Sequence, residues 1–358
     1  MSPRDARAPS GFAEHAGASG RPASDPTALY RLRDAAYAAD LLVVAIAELD
    51  LLTHVAAAGR VDAARLCASL GLDPRAADVM ITYLAALGLL ERRPDGAIEV
   101  STLAAEHLVG GAPLDMRAYF DALRERPGCA ELLGVLRSGR PAAWASAPDR
   151  EDWAGRLDDV AFARRFTAAM DARGAFLAPA LCAAIDDLPS RRLLDVGGAA
   201  GVYACALAAR RPGLRATILE RPPVDAAART LVAEHACSAR VEVVTGDMFE
   251  ALPSGHDLHL FSHVLHDWSE RQVRALLSRS FAALAPGGWL VDHDAHVDAD
   301  KSGPLPVAEY SVLLMHSTHG KCWSVAELDA MLTDAGFAQV EQRPGIADRS
   351  VVVARKPG

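Results

Sequence analysis

The chain has little of what marks secreted, membrane-embedded or nucleic-acid-binding proteins. Its six cysteines, at 67, 129, 182, 205, 237 and 322, form no C-x-x-C pair and no other metal-ligand spacing, so neither a zinc module nor a disulfide scaffold is expected. No N-terminal stretch joins basic residues to a continuous apolar core, which speaks against a secretory leader. The most membrane-like run, AAYAADLLVVAIAELDLL at 35–52, is interrupted by Asp40, Glu48 and Asp50, well short of the roughly 20 apolar residues of a span. It predicts one helix buried in a core or at a subunit interface. Basic charge is short as well: 37 Lys and Arg face 46 Asp and Glu, a net charge of −9, whereas a nucleic-acid surface needs a basic patch. An acidic cleft would instead suit a cationic ligand. These absences leave a reduced, cytoplasmic enzyme with no membrane or nucleic-acid partner as the expectation.

What is present is enough for two cores, since 358 residues with 51% hydrophobic content exceed a single ordinary domain. The first 28 residues, rich in Ala, Gly, Pro, Ser and Arg, lack the apolar surface to offset the entropy of ordering and predict a disordered tail. Residues 29–160 and 161–358 then divide into two domains. In the first, VDAARLCASLG at 61–71 has helical periodicity ending at glycine. A second helix starts at Pro74, and LLERR, a PDG turn and AIEVS predict a hairpin. Helix, turn, helix, hairpin is a winged-helix pattern, usable for DNA binding or for dimerisation and roofing a substrate site. The second helix carries only Arg75 beside Asp73 and Asp78, which would repel phosphate and favours the latter use.

From Arg191 onward, short apolar strands alternate with helices near 202–211, 223–236 and 269–284, the pattern of a doubly wound parallel sheet. Two last strands, FAQVEQRP and RSVVVARK, are joined tightly enough to be antiparallel neighbours. The first strand ends in LLDVGGAAGVYA. Counted from Gly197, the third and sixth positions of a dinucleotide G-x-G-x-x-G are Ala199 and Val202, so the pyrophosphate fingerprint fails. The loop fits Asp195-x-Gly197-x-Ala199-x-Gly201, which tolerates alanine where the ligand has no pyrophosphate. Glu220 ends the second strand, where it could accept both hydroxyls of a ribose. Asp247 ends the third, at the edge of an adenine, with Met248 against the ring.

LLDVGGAAG, ILERP, GDMF, HVLHDWSERQ, LAPGGWLV and GKCWSVAELDAMLTDAGF together resemble the S-adenosylmethionine-dependent small-molecule O-methyltransferases of plant phenolics and bacterial polyketides. The likeness runs from about residue 30 to the end. It implies a class I methyltransferase α/β fold, with a seven-stranded Rossmann-like sheet and an antiparallel C-terminal hairpin. With it come an all-α, winged-helix dimerisation domain and a homodimer. It implies that Asp195, Gly197, Gly198, Gly201, Glu220, Arg221, Asp247, Met248, Phe249 and Ser262 form the cofactor wall. Phe166 and Met170 in FTAAMD would shape the pocket for methyl donor and aromatic acceptor. Met315, His316 and His319, beside the GK loop, are candidate substrate contacts, and Phe120 and Trp153 candidate aromatic walls.

Eight of the 12 histidines lie between His256 and His319, close to Asp292, Asp294, Asp298 and Asp300. They could hold a metal, move a proton or only pack. Methyl transfer from a sulfonium needs no metal, but a phenol of pKa near 10 needs a base, to which histidine is matched. Ser269 and Gln272 make a capping box, placing His266 in the loop before that helix. The resemblance makes His266 the general base and Asp294 the acid holding its other nitrogen. Where relatives carry a second acid in GKER, this chain has GKCW, with Cys322 and Trp323. Carbon methylation or cofactor-dependent hydroxylation on the same fold, and a ligand-sensing transcription factor, are the alternatives.

Overall fold

The computed structural model describes residues 24–142 and 153–358. Most of the expected tail falls outside them, and Thr27 already opens a helix. The first half contains α1 (Thr27–Asp34), α2 (Ala38–Val43), a π-turn over Val44–Glu48, α3 (Leu51–Ala58), α4 (Ala63–Leu70) and α5 (Pro74–Ala86). After them come the hairpin β1 (Leu90–Arg92) and β2 (Ile98–Val100), then α6 (Thr102–His107), α7 (Arg117–Asp121) and α8 (Pro127–Ser138).

The single helix expected over 35–52 is broken. Asp50 takes a left-handed backbone at φ 45°, and its carboxylate is held at 2.8 Å by Arg117. The segments on either side bury Leu41, Val44, Leu51 and Leu52 in one core. Among the described residues no single helix is long and apolar enough to cross a membrane.

The helix, turn, helix, hairpin order is present, and its local chemistry explains it. Asp62 caps α4 by accepting from Arg65 N, and Gly71 ends it at φ 64°. Asp73 caps α5 with Pro74 in the first turn. The hairpin pairs Leu90 with Val100, and Val61 bridges Ile98 to add a third short strand. But α5 buries Ala76, Val79, Met80, Ile81, Tyr83 and Leu84. Its Arg75 donates to the Gly139 and Gly320 carbonyls, and Asp78 pairs with Lys301 and Lys321. A groove-reading helix needs an open face with cations; this one is packed and its cation is engaged.

The second half opens with α9 (Trp153–Arg156) and α10 (Val160–Ala184) and alternates through β3 (Arg192–Val196), α11 (Val202–Arg210), β4 (Arg215–Glu220), α12 (Val224–Glu234), β5 (Val241–Thr245) and β6 (His256–Ser262). It ends with α13 (Glu270–Ala283), β7 (Leu284–Asp294), α14 (Leu305–Ser317), α15 (Val325–Asp334), β8 (Ala338–Pro344) and β9 (Ser350–Arg355). The sheet order is β5-β4-β3-β6-β7-β9-β8, parallel from β5 to β7. Strand β9 runs antiparallel between β7 and β8. Alternate residues serve opposite faces: Leu193, Ile218, Leu258 and Val291 pack under α10 and α11, while Leu194, Leu219, Phe261 and Leu290 pack under α13 and α15.

The halves exchange helices. Ala308, Val312 and Met315 of α14 lie in the core of the first half. In return α1 reaches the second: Tyr30 Oη donates to the Arg173 carbonyl at 2.9 Å, and Asp34 forms a buried pair with Arg349 at 2.7 Å.

Candidate active site

The loop after β3 is built around close approaches. Gly197 and Gly201 have φ of 65° and 70°, and Ala199 between them has φ 45°. A Cβ on Gly201 would collide with Ile218 Cδ1, so this glycine lets α11 sit against the sheet. A Cβ on Gly198 would lie 2.6 Å from the Asp195 carboxyl carbon. Asp195 is completely buried beneath the loop, and burial, with the Glu220 charge next, pushes its carboxyl up to about 7. Asp195 and Gly201, expected on the cofactor wall, therefore shape the loop from behind and do not line the cleft.

In front of the loop a cleft opens at the carboxyl ends of β3, β4, β5 and β6, where open parallel sheets bind ligands. It brings together Gly197, Gly198, Glu220, Arg221, Asp247, Met248, Phe249 and Ser262, and also Phe166 and Met170 of α10. Glu220 Oε1 accepts from Ala199 N and Oε2 from Arg221 N, both at 3.0 Å. One lone pair on each oxygen remains, as a vicinal diol requires. Burial nevertheless pushes the Glu220 carboxyl up to about 7. Asp247 Oδ1 is fixed by Phe249 N at 2.7 Å. The Phe249 ring meets Trp268 edge to face, centroids 4.7 Å apart, giving a flat aromatic corner. A Cβ on Gly197 would project to within 3.4 Å of Val264 and 3.7 Å of the Met248 sulfur, taking up the narrowest part of the cradle. Diol acceptor, acid at a purine edge and apolar ring walls fit an adenosine group carrying a thioether or sulfonium.

His266 lies in the 3₁₀ turn Leu265–Asp267, between β6 and α13, whose capping box of Ser269 and Gln272 is formed. The ring is 3% exposed. Its Nδ1 lies 2.7 Å from Asp294 Oδ1 and its Nε2 lies 3.6 Å from Asp267 Oδ1. Burial alone would lower its pKa, but the charges of Asp294 and Asp267 and the Asp294 hydrogen bond outweigh burial and raise it. With Asp294 ionised, Nδ1 carries the proton and Nε2 is the basic nitrogen. His266 itself is not among the residues that line the cleft, whereas its neighbour Asp267 is, and burial pushes the Asp267 carboxyl up to about 6. Tyr310 meets the ring edge-on at 5.6 Å, and Trp323 Nε1 donates to the Leu265 carbonyl at 3.0 Å, pinning the turn. Cys322, at the place of the missing acid, is a buried thiol whose pKa burial drives far up, with Asp294 adding to it.

Three expected substrate contacts lie elsewhere. Met315 is fully buried in the core of the first half. His316 turns from the cleft, stacks on Tyr37 at 3.8 Å and pairs with Glu131 at 2.8 Å. His319 does not line the cleft either. The side chain of Trp153 is outside the described residues, and Phe120 packs on the first core. Asp292 is bound by His296 at 3.0 Å, not by His266. His293 and His263 share the Ser262 hydroxyl, and His256 and His259 bond to Thr217 and Ser280. Among the described residues no group of three acids, histidines or cysteines is placed to hold a metal. Sequence reasoning missed Arg173, Tyr203, His263, Val264, Asp267 and Trp268, which also line the cleft. Arg173 had a signal, because Phe166, Met170 and Arg173 recur at helical spacing on one face.

A cleft for a nucleoside sulfonium beside a carboxylate-held histidine defines a methyltransferase. The family profile of O-methyltransferase domains matches residues 130–338, and the chain belongs to that family. It is 33% identical, over 79% of its length and 82% of the relative's, to a 3-hydroxy-5-methyl-1-naphthoate 3-O-methyltransferase of Streptomyces sahachiroi. Over 93% of this chain and 97% of the relative, it is 31% identical to the tetracenomycin polyketide synthesis 8-O-methyl transferase of Streptomyces glaucescens. An aclacinomycin 10-hydroxylase of Streptomyces purpurascens is 32% identical over 75% of this chain and 74% of its own. The crystal structure of an O-methyltransferase family 2 protein from Planctomyces limnophilus, in complex with apigenin, superimposes with a TM-score of 0.83 at 29% identity. It covers 94% of this chain and 98% of that one. The chain is thus an S-adenosylmethionine-dependent O-methyltransferase.

Proposed function

We propose that the protein methylates a phenolic hydroxyl of an aromatic secondary metabolite, as an antibiotic-tailoring step, with His266 as general base and no metal. The observation that carries this is the buried His266–Asp294 pair, packed next to Asp267 and His263, which line a nucleoside-shaped cleft. When bound, S-adenosylmethionine supplies an electrophilic methyl on sulfur. Glu220 would accept from the ribose hydroxyls and Asp247 from the adenine amino group, with Met248 and Phe249 against the ring. His266 Nε2 would take the phenol proton and so make the oxygen nucleophilic towards that methyl group. Asp294 holds the ring and stabilises the imidazolium. Walls such as Phe166 and Met170 exclude water.

The named aromatic substrates of the naphthoate and tetracenomycin relatives support a polyaromatic acceptor. Leu114, Met116, Tyr119 and Leu123 are 63%, 41%, 75% and 44% exposed on the first half, a surface suited to a second copy and hence to a homodimer. The six free cysteines fit a reducing cytoplasm. The test incubates purified protein with S-adenosylmethionine and a panel of hydroxynaphthoates and hydroxylated polyketides. A product about 14 mass units heavier, with a methoxy carbon by NMR, is expected from wild type and not from His266→Ala. Equal rates for the two would remove His266 from the role. Because a hydroxylase is among the relatives, a product 16 units heavier would favour that second chemistry.

A further inference from the structure

Helix α5 is the second helix of the winged-helix pattern, the element that would read a groove in a DNA-binding protein, and the cleft makes no use of it. Two of its charged side chains, Arg75 and Asp78, stand one turn apart on the same face, and both reach the same dipeptide of the second half. Arg75 Nη1 donates to the Gly320 carbonyl at 2.7 Å and Nη2 to the Gly139 carbonyl at 3.0 Å. Asp78 accepts from Lys321 Nζ at 2.5 Å and from Lys301 Nζ at 2.8 Å, and Glu327 closes the square by accepting from both lysines.

Residues 320–323, between α14 and α15, are buried yet lie in neither helix nor strand, so their backbone groups must find partners outside regular structure. Gly320 N donates to Thr318 Oγ1 and Cys322 N to Ser311 Oγ, both at 3.1 Å. The Gly320 carbonyl is met by Arg75, from the other half of the molecule. The opposite side of this segment rests on the turn that carries His266. A Cβ on Gly320 would run into the His266 carbonyl and stand 2.7 Å from Trp268 N, so glycine is required by the close approach of two main chains. Three residues on, Trp323 Nε1 donates to the Leu265 carbonyl at 3.0 Å. The segment is thus held between α5 and the backbone of the base turn.

Resting on the reading of His266 as general base, we propose that Arg75 is a positioning residue for that base, acting through the main chain of Gly320. Asp294 sets the tautomer and charge of the imidazole from its side chain, and Arg75 fixes the place of the turn from its backbone. The winged helix then reads the base loop of its own chain instead of a nucleic acid. Proton transfer depends on hydrogen-bond reach, and a misplacement of about 1 Å caused far from the chemistry can cost about 10²-fold in rate.

The test is kinetics with the hydroxynaphthoate that wild type methylates fastest, together with calorimetric binding of S-adenosylhomocysteine. Arg75→Met should lower kcat at least about tenfold and leave S-adenosylhomocysteine affinity within about twofold, because neither Arg75 nor Gly320 lines the cleft. Arg75→Lys, which can still donate to one carbonyl, should recover part of kcat. Gly320→Ala, which pushes the turn from the other side, should show the same split. Ile81→Val, on the same helix but in the first core, should lower the melting temperature and keep kcat, which excludes a loss through stability alone. The double variant Arg75→Met/His266→Ala should be no slower than His266→Ala, since a group that acts through the imidazole has nothing left to act on. A kcat for Arg75→Met within about threefold of wild type, or a double variant slower by the full Arg75 factor, overturns the positioning role. A wild-type kcat in His266→Ala overturns instead the base reading beneath it.

Discussion

Replacing Asp294 by asparagine isolates the contribution of one charge to the base. The substitution is isosteric, and Oδ1 of the amide can still accept from Ala295 N, now 2.7 Å from the carboxylate. What disappears is the charge 2.7 Å from His266 Nδ1 in a site where both side chains are at most 4% exposed. Burial and, more weakly, Arg173 pull the His266 pKa down, while Asp294 and, from the other side, Asp267 push it up. Without Asp294, burial regains the upper hand and the pKa falls below its ordinary 6.5. In the proposed mechanism the base works as neutral imidazole, so activity rises as pH passes its pKa. In wild type that rise lies above pH 6.5, and in Asp294→Asn it moves below. The plateau falls too, because a weaker, mis-held imidazole loses most of the 10²- to 10⁴-fold that general-base catalysis contributes. The expected kcat loss is about 10² to 10⁴. Asp294 does not line the cleft, so S-adenosylhomocysteine affinity should be unchanged, which separates a chemical defect from an unfolded site. The assay is the pH–kcat profile at saturating donor, with calorimetric affinity and a melting curve as controls. A kcat within about threefold of wild type, or a rise that stays where it was, would refute the reasoning.

Glu220, pushed up to about 7 by burial, must lose its proton to accept two ribose hydroxyls. S-adenosylhomocysteine affinity should therefore weaken below pH 7 by up to about tenfold per pH unit, and Glu220→Gln should bind weakly at every pH; calorimetry from pH 5.5 to 8.5 decides. Ala199 sits at φ 45°, a left-handed conformation costing an L-residue about 1–2 kcal/mol, while glycine brings an entropy penalty of about 0.5–1 kcal/mol. Ala199→Gly should therefore raise the melting temperature by a degree or two, and Gly201→Ala, which drives a Cβ into Ile218, should lower it sharply. Burial would raise the Asp78 carboxyl, but Lys321 and Lys301 hold it down at about 2. Its folded pKa lies below the unfolded one, so its stabilisation, about 2 kcal/mol at neutral pH, is present above pH 4 and lost as pH falls towards 2. In urea titrations the gap between wild type and Asp78→Asn should shrink by about half between pH 6 and 3.

The alternating second half was legible because a parallel sheet writes itself as apolar runs separated by helices. That Glu220, Asp247 and Met248 would share one cleft was legible because each follows a strand end of the parallel sheet. Helix α14 shows where that logic stops. It buries Val307, Ala308, Tyr310, Ser311, Val312, Leu314, Met315 and His316 on nearly every side, so no apolar stripe tells which face meets the cleft. Met315 and His316 were expected near the substrate, yet they face the first half, and it is Tyr310 that touches His266. The break at Asp50 was hidden for a related reason: the partner that meets its carboxylate, Arg117, is 67 residues away, a contact no local pattern encodes.

The same limit applies to the missing acid. Read from GKCW, the base has lost one of two carboxylate supports. In three dimensions Cys322 is a neutral thiol, and the second negative charge comes from Asp267, the residue following His266. The two acids do different work. Asp294 is buried, accepts from Ala295 N and is held below the usual carboxylate range by His266 despite its burial, so it stays ionised and orients the ring. Asp267 lines the cleft with a pKa pushed up to about 6, close enough to neutrality to change protonation as ligands enter. Restoring the acid at position 322 would place a carboxylate at a buried site already exposed to the charges of Asp294 and Asp34. Cys322→Glu should therefore destabilise the fold instead of improving the base.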